Sequence, residues 1–525
     1  MTVNTHLRAA IAVAALILTA AAVHAAQAAR PSQTRQAPPE YREIIAASQI
    51  EDPAARLKEF ERIKAAYPAS QLAEAIEASI LEAKVTMAGT LEAVLALQRE
   101  FVAKGDGPAR LQSPVAMAIQ LLNHPKIASF DAAKVLEAAL GYREQAVKAA
   151  AEPATFEGVP QEQKEPFKSY FLNAVELIAA RAYLNAGDAA KAMETAESYK
   201  KAGGATGGNY QFVLAGIHEK TGKVNEAYEA YLAAAVDGFE DSLARAKALF
   251  AKINGREEGF EAAFTAKLKA LPFHPEPFAA PAGWKGKTVL AELFTGSECP
   301  PCVGADLAFD GLVESIPAKY LAVLVYHLPI PRPDPMMNPA SGARQDAYKV
   351  TSTPTVVFDG TEKSLGGGGR GAAEGKYAQF RATVEKLLAA VPDVSLQARA
   401  SLAADTVKVT YDFDKAAPGV AFYLVLVQEE QEHKGSNGVI YHRMVVRDLL
   451  VVDPEAPKSL AFDLAASERT ADEYLTRFES AYTRVPNFKW PVRRSALPRK
   501  GLKVVFFAQD TVTNKVLNAA VADVK

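Results

Sequence analysis

The sequence has 525 residues, of which 49% are hydrophobic and 23% are charged, with 59 Lys and Arg against 61 Asp and Glu. A chain of this length corresponds to about three domains, and its ordinary composition excludes a mostly disordered chain, a fibrous repeat and a multi-span membrane protein. The net charge of −2 provides no large field of one sign. We therefore expect no nucleic-acid partner and no anionic membrane as a partner.

The first 28 residues have the features of a secretory signal peptide. Arg8 precedes an apolar run over residues 9–23, and Ala26-Gln27-Ala28 fits the small-residue pattern of a cleavage site. An uncleaved membrane anchor is the alternative, but this run is shorter than the roughly 20 residues that span a bilayer. The sequence predicts an exported protein, periplasmic or secreted, with no stable membrane span after cleavage.

Residues 39–271 are rich in Ala, Glu, Lys and Leu, and their apolar residues recur at three- and four-residue spacing. This pattern predicts an all-α N-terminal half. Gly187 and Gly222, like Ala192 and Ala227, are separated by 35 residues, close to the tetratricopeptide period of about 34. The segment resembles degenerate tetratricopeptide helix pairs, a plain helical bundle being the alternative. We expect protein partners to bind this half.

A Pro-rich linker is predicted at residues 272–286, which contain four prolines. After the linker the sequence pattern changes. It predicts strands at residues 288–294, 321–327 and 355–358, which alternate with helices at residues 303–316, 338–350 and 376–388. Alternating strands and helices predict an α/β domain over residues 287–390.

The last segment, residues 393–525, has mostly β character. Strands are predicted at residues 407–413, 421–428, 440–446 and 502–508, with one helix at residues 471–482. This pattern favours an immunoglobulin-like all-β sandwich. His442, Arg443 and Arg447 offer a ligand face as one alternative, but we interpret them as solvated strand residues, and the segment contains no recognisable catalytic set.

Cys299 and Cys302 are the only cysteines in the chain, and they form a CPPC motif between a predicted strand and a predicted helix. A thiolate at a helix start has its pKa lowered by the helix dipole and by free backbone N–H groups, which makes it reactive. Two intervening residues let the second sulfur attack a mixed disulfide formed by the first. A metal site completed by His327 and a purely structural disulfide remain as alternatives to redox exchange.

A second motif, Ser-Thr-Pro-Thr-Val-Val-Phe-Asp-Gly at residues 352–360, heads the third predicted strand of the α/β domain. The CPPC motif after a Val- and Leu-rich strand, together with this Thr-Pro before a strand, resembles the thioredoxin-like domain. The resemblance covers residues 287–390, about a fifth of the chain.

The resemblance implies a role for each matching residue. Cys299 is the exposed nucleophile, and Cys302 is the buried resolving thiol. Thr353 offers its backbone to an extended substrate peptide, and Pro354 is cis and faces the cysteines. Glu292, on the strand before the motif, takes the proton of the resolving thiol, with an edge-facing surface carboxylate as the alternative interpretation.

The predicted function is an exported thiol-disulfide oxidoreductase that acts on protein disulfides. It needs no cofactor beyond the redox-active disulfide and no metal, and it requires a redox partner that the sequence does not identify. The alternative is a non-catalytic binding or assembly protein in which the thioredoxin-like domain is a docking module. Glu298, directly before Cys299, is expected to oppose the helix dipole in part.

Overall fold

The computed structural model describes residues 40–204, 207–483 and 488–525. The chain divides into two compact units, Met1–Phe260 and Glu261–Lys525. The predicted signal peptide at residues 1–28 lies outside the described residues. Within the described ranges, no helix combines the length and apolar character needed to cross a membrane.

The first unit is helical, as predicted. Several helices begin at a side-chain cap: Asp52, Thr90, Asp131 and Asp188 each accept a backbone N–H group from the first turn. Because the first N–H groups of a helix have no partner within it, such caps mark where a helix begins. The described α-helices of this unit are α1 (Glu40–Ser48), α2 (Pro53–Ala66), α3 (Ala73–Met87), α4 (Leu91–Val102), α5 (Ala109–Leu122), α6 (Ala132–Ala149), α7 (Gln161–Asn185), α8 (Ala189–Lys201), α9 (Gly208–Lys220), α10 (Val224–Val236) and α11 (Glu240–Asn254).

The 35-residue offset in the sequence corresponds to two successive helical hairpins, α7–α8 and α9–α10. Gly187 and Gly222 lie in the two turns with φ of 86° and 75°, a left-handed conformation that favours glycine. Ala192 and Ala227 lie at matching points of the second helices, and both are fully buried. Small side chains at these points let the paired helices approach closely.

The second unit combines helices with two sheets. Its elements are α12 (Phe260–Lys269), β1 (Val289–Thr295), α13 (Val303–Ser315), β2 (Leu321–His327), α14 (Pro339–Tyr348), β3 (Thr355–Phe358), β4 (Glu362–Leu365), α15 (Ala373–Leu388), β5 (Leu396–Ala403), β6 (Thr406–Phe413), β7 (Val420–Glu432), β8 (Tyr441–Val452), β9 (Ser459–Asp463), α16 (Leu464–Ala481), β10 (Leu502–Asp510) and β11 (Val516–Asp523).

The larger sheet has eight strands in the order β11-β10-β7-β8-β2-β1-β3-β4. β1 is parallel to β2 and antiparallel to β3, and β3 is antiparallel to β4. β8 joins this group because Val445 pairs in parallel with Val325 of β2. Strands from residues 287–390 and from residues 393–525 therefore share one sheet.

The smaller sheet is antiparallel, in the order β5-β6-β9. Along β6 the side chains alternate between buried and exposed, so one face of this sheet is turned to a core. That core also contains apolar side chains of β7 and β10 from the larger sheet, among them Phe422 and Phe506. The two sheets thus pack face to face in this part of the unit.

The Pro-rich segment at residues 272–286 contains no helix or strand. It is nevertheless packed on the second unit. Phe273 is buried with its ring 5.1 Å from that of Tyr377, and the rings of Phe278 and Trp284 lie 5.0 Å and 4.8 Å from that of Tyr320. The segment therefore contributes apolar side chains to the α/β core.

Candidate active site

The cysteine pair lies where β1 leads into α13. β1 ends at Thr295, a loop carries Cys299, and a short 3₁₀ turn at Pro300–Cys302 precedes the helix. Cys299 and Cys302 form a disulfide. Two prolines suit the start of a turn, where a missing N–H group breaks no helical hydrogen bond. The predicted placement of the CPPC motif between a strand and a helix is confirmed.

Thr353 and Pro354 lie beside the disulfide. Their peptide bond is cis, as predicted, and they directly precede β3, the antiparallel neighbour of β1. The Thr353 hydroxyl oxygen lies 3.3 Å from the Cys299 sulfur, and the Thr353 carbonyl oxygen lies 3.7 Å from the same sulfur. The fold thus brings the two sequence motifs together.

A glycine loop at residues 366–369 holds the turn of the CPPC motif. The Gly368 N–H group donates to the Pro301 carbonyl, and the Gly304 N–H group donates to the Gly368 carbonyl, both at 2.7 Å. A Cβ atom at Gly367 would lie 1.9 Å from the Pro301 carbonyl oxygen, so only glycine allows this approach. These glycines serve backbone packing against the motif.

Both cysteines are buried in the disulfide form, with exposures of 1% for Cys299 and 0% for Cys302. The expectation of an exposed Cys299 is therefore wrong for this form. Thr353 covers the sulfur, and the loop at residues 433–440, between β7 and β8, covers the segment before it. The backbone and side-chain amides of Asn437 donate to the carbonyls of Ser297 and Gly296, at 3.1 Å and 3.2 Å.

We expect Asn437→Ala to increase the rate at which dithiothreitol reduces the disulfide. The substitution removes the side-chain hydrogen bond to Gly296, and one such bond is worth about 0.5–1.5 kcal/mol, which corresponds to about a 2- to 10-fold change. The rate is measured by trapping free thiols with an alkylating reagent. Lys434→Ala, an exposed change in the same loop, is the control. Equal rates in all three proteins would contradict a covering role for the loop.

Glu298 does not act as an isolated charge beside Cys299. Its carboxylate accepts the Ser436 N–H group at 3.2 Å and lies 3.4 Å from the Arg332 guanidinium. The Arg332 side chain is 58% exposed, so water screens this ion pair and limits its strength. Arg332 therefore offsets only part of the effect by which the Glu298 charge is expected to oppose the helix dipole.

Glu292 is fully buried and held by an ion pair. Arg344 of α14 donates from Nε to one carboxylate oxygen and from its NH2 group to the other, at 3.0 Å and 2.9 Å. The Tyr326 and Tyr348 hydroxyls donate to the same carboxylate at 3.1 Å and 2.5 Å. Burial and the Glu292 charge raise the pKa of Tyr348. Both carboxylate oxygens of Glu292 are thus occupied by strong donors.

The direction of the Glu292 side chain follows from strand geometry. Successive residues of a strand point to opposite faces, so Glu292 faces α14 while Leu293 and Thr295 face α13, the helix that follows the cysteines. Among the described residues, no hydrogen bond joins Glu292 to either cysteine. The structure brings Thr353 to the disulfide and leaves Glu292 on the other side of the sheet.

His327 ends β2 and is buried. Its Nδ1 atom lies 2.9 Å from the Asp334 carboxylate, which also accepts the N–H groups of Ser297 at 2.6 Å and Met336 at 2.8 Å. Burial alone would raise the pKa of Asp334, but His327 and these N–H groups hold it well below its usual range. Asp334 therefore anchors the loop that leads to Cys299.

Asp306 and Asp310, on α13, were missed as candidates. Burial raises the pKa of Asp306 to about 7 and that of Asp310 to about 8. Acids one and two helical turns after Cys302, among mostly apolar residues, were the signal available in the sequence.

Asp306→Asn is expected to become more stable relative to wild type as the pH rises. Asp306 has a raised pKa in the folded state, so its contribution is present below the unfolded value of about 3.9 and is lost as the pH rises through about 7. We expect the variant to gain about 1–2 kcal/mol relative to wild type between pH 5 and pH 8. Urea unfolding at both pH values measures the difference. A difference independent of pH would contradict this prediction.

The buried residues of β8 correct one expectation. His442 and Arg447 are 4% and 5% exposed, so they are not solvated strand residues. Arg447 donates to the carbonyls of residues 494–496, which cover this part of β8. Arg443, which is partly exposed, pairs with Glu314 at 2.8 Å.

A metal centre was the alternative use of the cysteines. In the part of the chain that the structure describes, no group of three or more His, Cys, Asp or Glu side chains is placed to hold a metal ion.

Comparisons with family models, with curated proteins and with solved structures give no match for this chain. The assignment of function therefore depends on the geometry of the disulfide and its surroundings.

Proposed function

We propose that the protein is an exported thiol-disulfide oxidoreductase with a thioredoxin-like central region. The observation that carries this proposal is the Cys299–Cys302 disulfide at the start of a helix, with Thr353 of a cis-Pro dipeptide against the Cys299 sulfur. The strand order β2-β1-β3-β4, with helices between β1 and β2, between β2 and β3, and after β4, supports the thioredoxin-like part.

The reaction in the reductive direction has two steps. The Cys299 thiolate attacks one sulfur of a substrate disulfide, forming a mixed disulfide and releasing the first substrate thiolate. The Cys302 thiol then loses its proton and attacks the Cys299 sulfur. The Cys299–Cys302 bond forms, the bond to the substrate breaks, and the second substrate thiolate leaves and takes up a proton. Two electrons pass from the dithiol to the substrate, and a redox partner must return them.

Two features support redox exchange over a structural disulfide. A bridge across so short a loop removes less entropy from the unfolded chain than a bridge across a long loop, so its stabilisation of about 2 kcal/mol is at the low end for a disulfide. The position at the start of α13 also favours the thiolate, because the helix dipole and free N–H groups stabilise negative charge there. Burial of the disulfide implies that Thr353 or the loop at residues 433–440 shifts when a substrate reaches Cys299.

Titration of the Cys299–Cys302 couple against reduced and oxidised glutathione tests the proposed function. A redox-active pair exchanges while the protein stays folded and gives a defined equilibrium constant. A pair that glutathione and dithiothreitol reduce only in denaturant would instead be structural. That result would favour the rival proposal of a non-catalytic binding or assembly protein.

The helical unit is proposed to recognise protein substrates through tetratricopeptide-like hairpins. The equivalent turns at Gly187 and Gly222 support the repeat, and stacked hairpins form extended binding surfaces. Export is proposed from the signal-like residues 1–28.

A chain that begins at Glu261 is expected to reduce a small disulfide at close to the full-chain rate but to lose discrimination among protein disulfides. A start after the Pro-rich segment would instead remove Phe273 and Phe278 from the core of this unit. Rates with a small disulfide and with several protein disulfides are compared in both chains. Loss of activity toward the small disulfide in a folded short chain would show that the helical unit takes part in the chemistry.

A further inference from the structure

A small cavity lies between α13 and the sheet, on the face opposite Glu292. Its volume is about 10 Å³, enough for about one water molecule. The ionisable residues that line it come from α13, β2 and β8: Asp306, Asp310, His327, Tyr441, His442 and Arg443. An apolar core would not gather so many ionisable groups around one point.

The polar atoms at this cavity have unmet hydrogen-bonding capacity. The carboxylate oxygens of Asp306 are buried beside the hydroxyl of neighbouring Thr295, which acts as a hydrogen-bond donor and favours the charged carboxylate. The Nε2 atom of His327 is also buried, and it has no hydrogen-bond partner within the described residues. Buried polar atoms are paired in most proteins, because an unpaired one is costly. A carboxylate with spare acceptor capacity, beside an unpaired imidazole nitrogen and a small cavity, is therefore an arrangement suited to taking up a proton.

The position of Asp306 connects this site to the disulfide. Asp306 is four residues after Cys302, whose backbone already has the right-handed helical conformation that continues into α13. Residues four apart on a helix lie on the same face, with Cβ atoms about 5–6 Å apart. Asp306 is thus the carboxylate one turn behind the buried cysteine.

We propose that Asp306 accepts the proton of the Cys302 thiol during the second step of disulfide exchange and that His327 stabilises the charged form of this carboxylate. This inference rests on the proposed oxidoreductase function. It replaces Glu292 in the predicted role of proton acceptor. The raised pKa of Asp306 agrees with it, since a carboxylate near pH 7 balances between accepting and releasing a proton.

The step is balanced as follows. The Cys302 thiol proton passes to Asp306, directly or through a water in the cavity. The Cys302 thiolate attacks the Cys299 sulfur, the Cys299–Cys302 bond forms, and the bond between Cys299 and the substrate sulfur breaks. The substrate thiolate carries the electron pair away. Asp306 returns its proton to solvent before the next cycle.

Several other charged or titratable groups face Asp306 and influence its protonation. They are Asp310 on α13, His327 at the end of β2, Asp334 on the following loop, Tyr441, His442 and Arg443 on β8, and Arg370 of the turn before α15, which acts on Asp310. His327 favours the charged carboxylate, whereas Asp334 opposes it. A change at any of these groups would shift the pH dependence without removing the acceptor itself.

The test separates the two steps of exchange in the full chain. Reduced protein is mixed rapidly with a symmetrical aromatic disulfide whose thiolate absorbs light. The first released thiolate reports attack by Cys299, and the second reports resolution by Cys302. In wild type we expect the second phase to accelerate as the pH rises through about 7, because Asp306 must be ionised to accept the proton.

Asp306→Asn should leave the first phase unchanged and slow the second at least about tenfold, with no rise near pH 7. Asparagine keeps the size of the side chain and removes a buried charge, and an unchanged first phase shows that the variant is folded. Glu362→Gln, on β4 in an exposed pair with Lys386, is the control and should leave both phases unchanged. His327→Gln supplies a second variant, which should move the midpoint of the second phase to higher pH.

The outcomes distinguish the two claims. If the reduced wild-type protein releases no thiolate, the proposed oxidoreductase function itself is contradicted. Two normal phases in wild type, with an unaltered second phase in both Asp306→Asn and His327→Gln, would overturn only the role of Asp306.

Discussion

Cys299→Ser is expected to reduce disulfide-reductase activity to background, a loss on the order of a thousandfold or more. Cys302→Ser is expected to accumulate mixed disulfides with protein substrates. The two outcomes differ because Cys299, next to Thr353, forms the bond to the substrate, whereas Cys302, in the turn that enters α13, only breaks it. The measurements are steady-state reduction of a protein disulfide and non-reducing electrophoresis of the trapped species.

Each single variant serves as the structural control for the other. Both lose the same disulfide, whose short loop is worth about 2 kcal/mol in the chain-entropy account, so both should fold with equal stability. A difference in trapping therefore reports the chemistry of the two sulfurs. If Cys299→Ser traps mixed disulfides instead of Cys302→Ser, the roles of the two cysteines are exchanged. If neither variant loses activity, the disulfide is not the reactive group.

The elements around the cysteines were predicted well because their signals are local. β2 and β3 match the predicted ranges 321–327 and 355–358, and the helix after the CPPC motif starts at Val303 as predicted. Short β-branched runs and amphipathic spacing carry enough information for these elements. The placement of Thr353 beside Cys299 followed from a motif resemblance and could not have come from periodicity alone.

Long-range arrangement was predicted less well. The loop at residues 433–440 covers Ser297 from more than 130 positions away, and nothing local to the CPPC motif indicates this cover. β8 joins β2 through parallel pairing at Val445, a connection that strand-like composition does not reveal. β4, β5, β9 and β11 were not predicted, since their sequences contain many Ala, Ser, Asp, Glu and Lys residues with weak strand preference.

The role of Glu292 shows how sensitive strand predictions are to register. A change of one position moves a side chain from one face of a sheet to the other. The thioredoxin resemblance implies that Glu292 takes the proton of the resolving thiol, but the Glu292 side chain faces α14 and Arg344. The face that α13 covers receives its acid from the helix instead, at Asp306.

Arg344→Met and Glu292→Gln are each expected to destabilise the second unit by about 3–5 kcal/mol, because each leaves a buried charge or strong donor without its partner. The two tryptophans of the chain, Trp284 and Trp490, both belong to this unit, so their fluorescence follows its unfolding in urea. Lys515→Met is the control. It breaks an ion pair with Asp393 in which the side chains of Lys515 and Asp393 are 57% and 51% exposed, and it should lower the free energy of unfolding by less than about 1 kcal/mol.

The same Glu292→Gln protein separates a structural role from a catalytic one. If Glu292 only holds Arg344 and the two tyrosines, both phases of thiolate release should keep their wild-type rates, within about twofold, in the fraction of molecules that remains folded. Glutamine is close in size and can still accept a hydrogen bond, so the site keeps its shape while losing its proton acceptor. A selective loss of the second phase would show that Glu292, and not Asp306, accepts the Cys302 proton. A change of less than about 1 kcal/mol in the free energy of unfolding would show that the ion pair of Glu292 contributes little to stability.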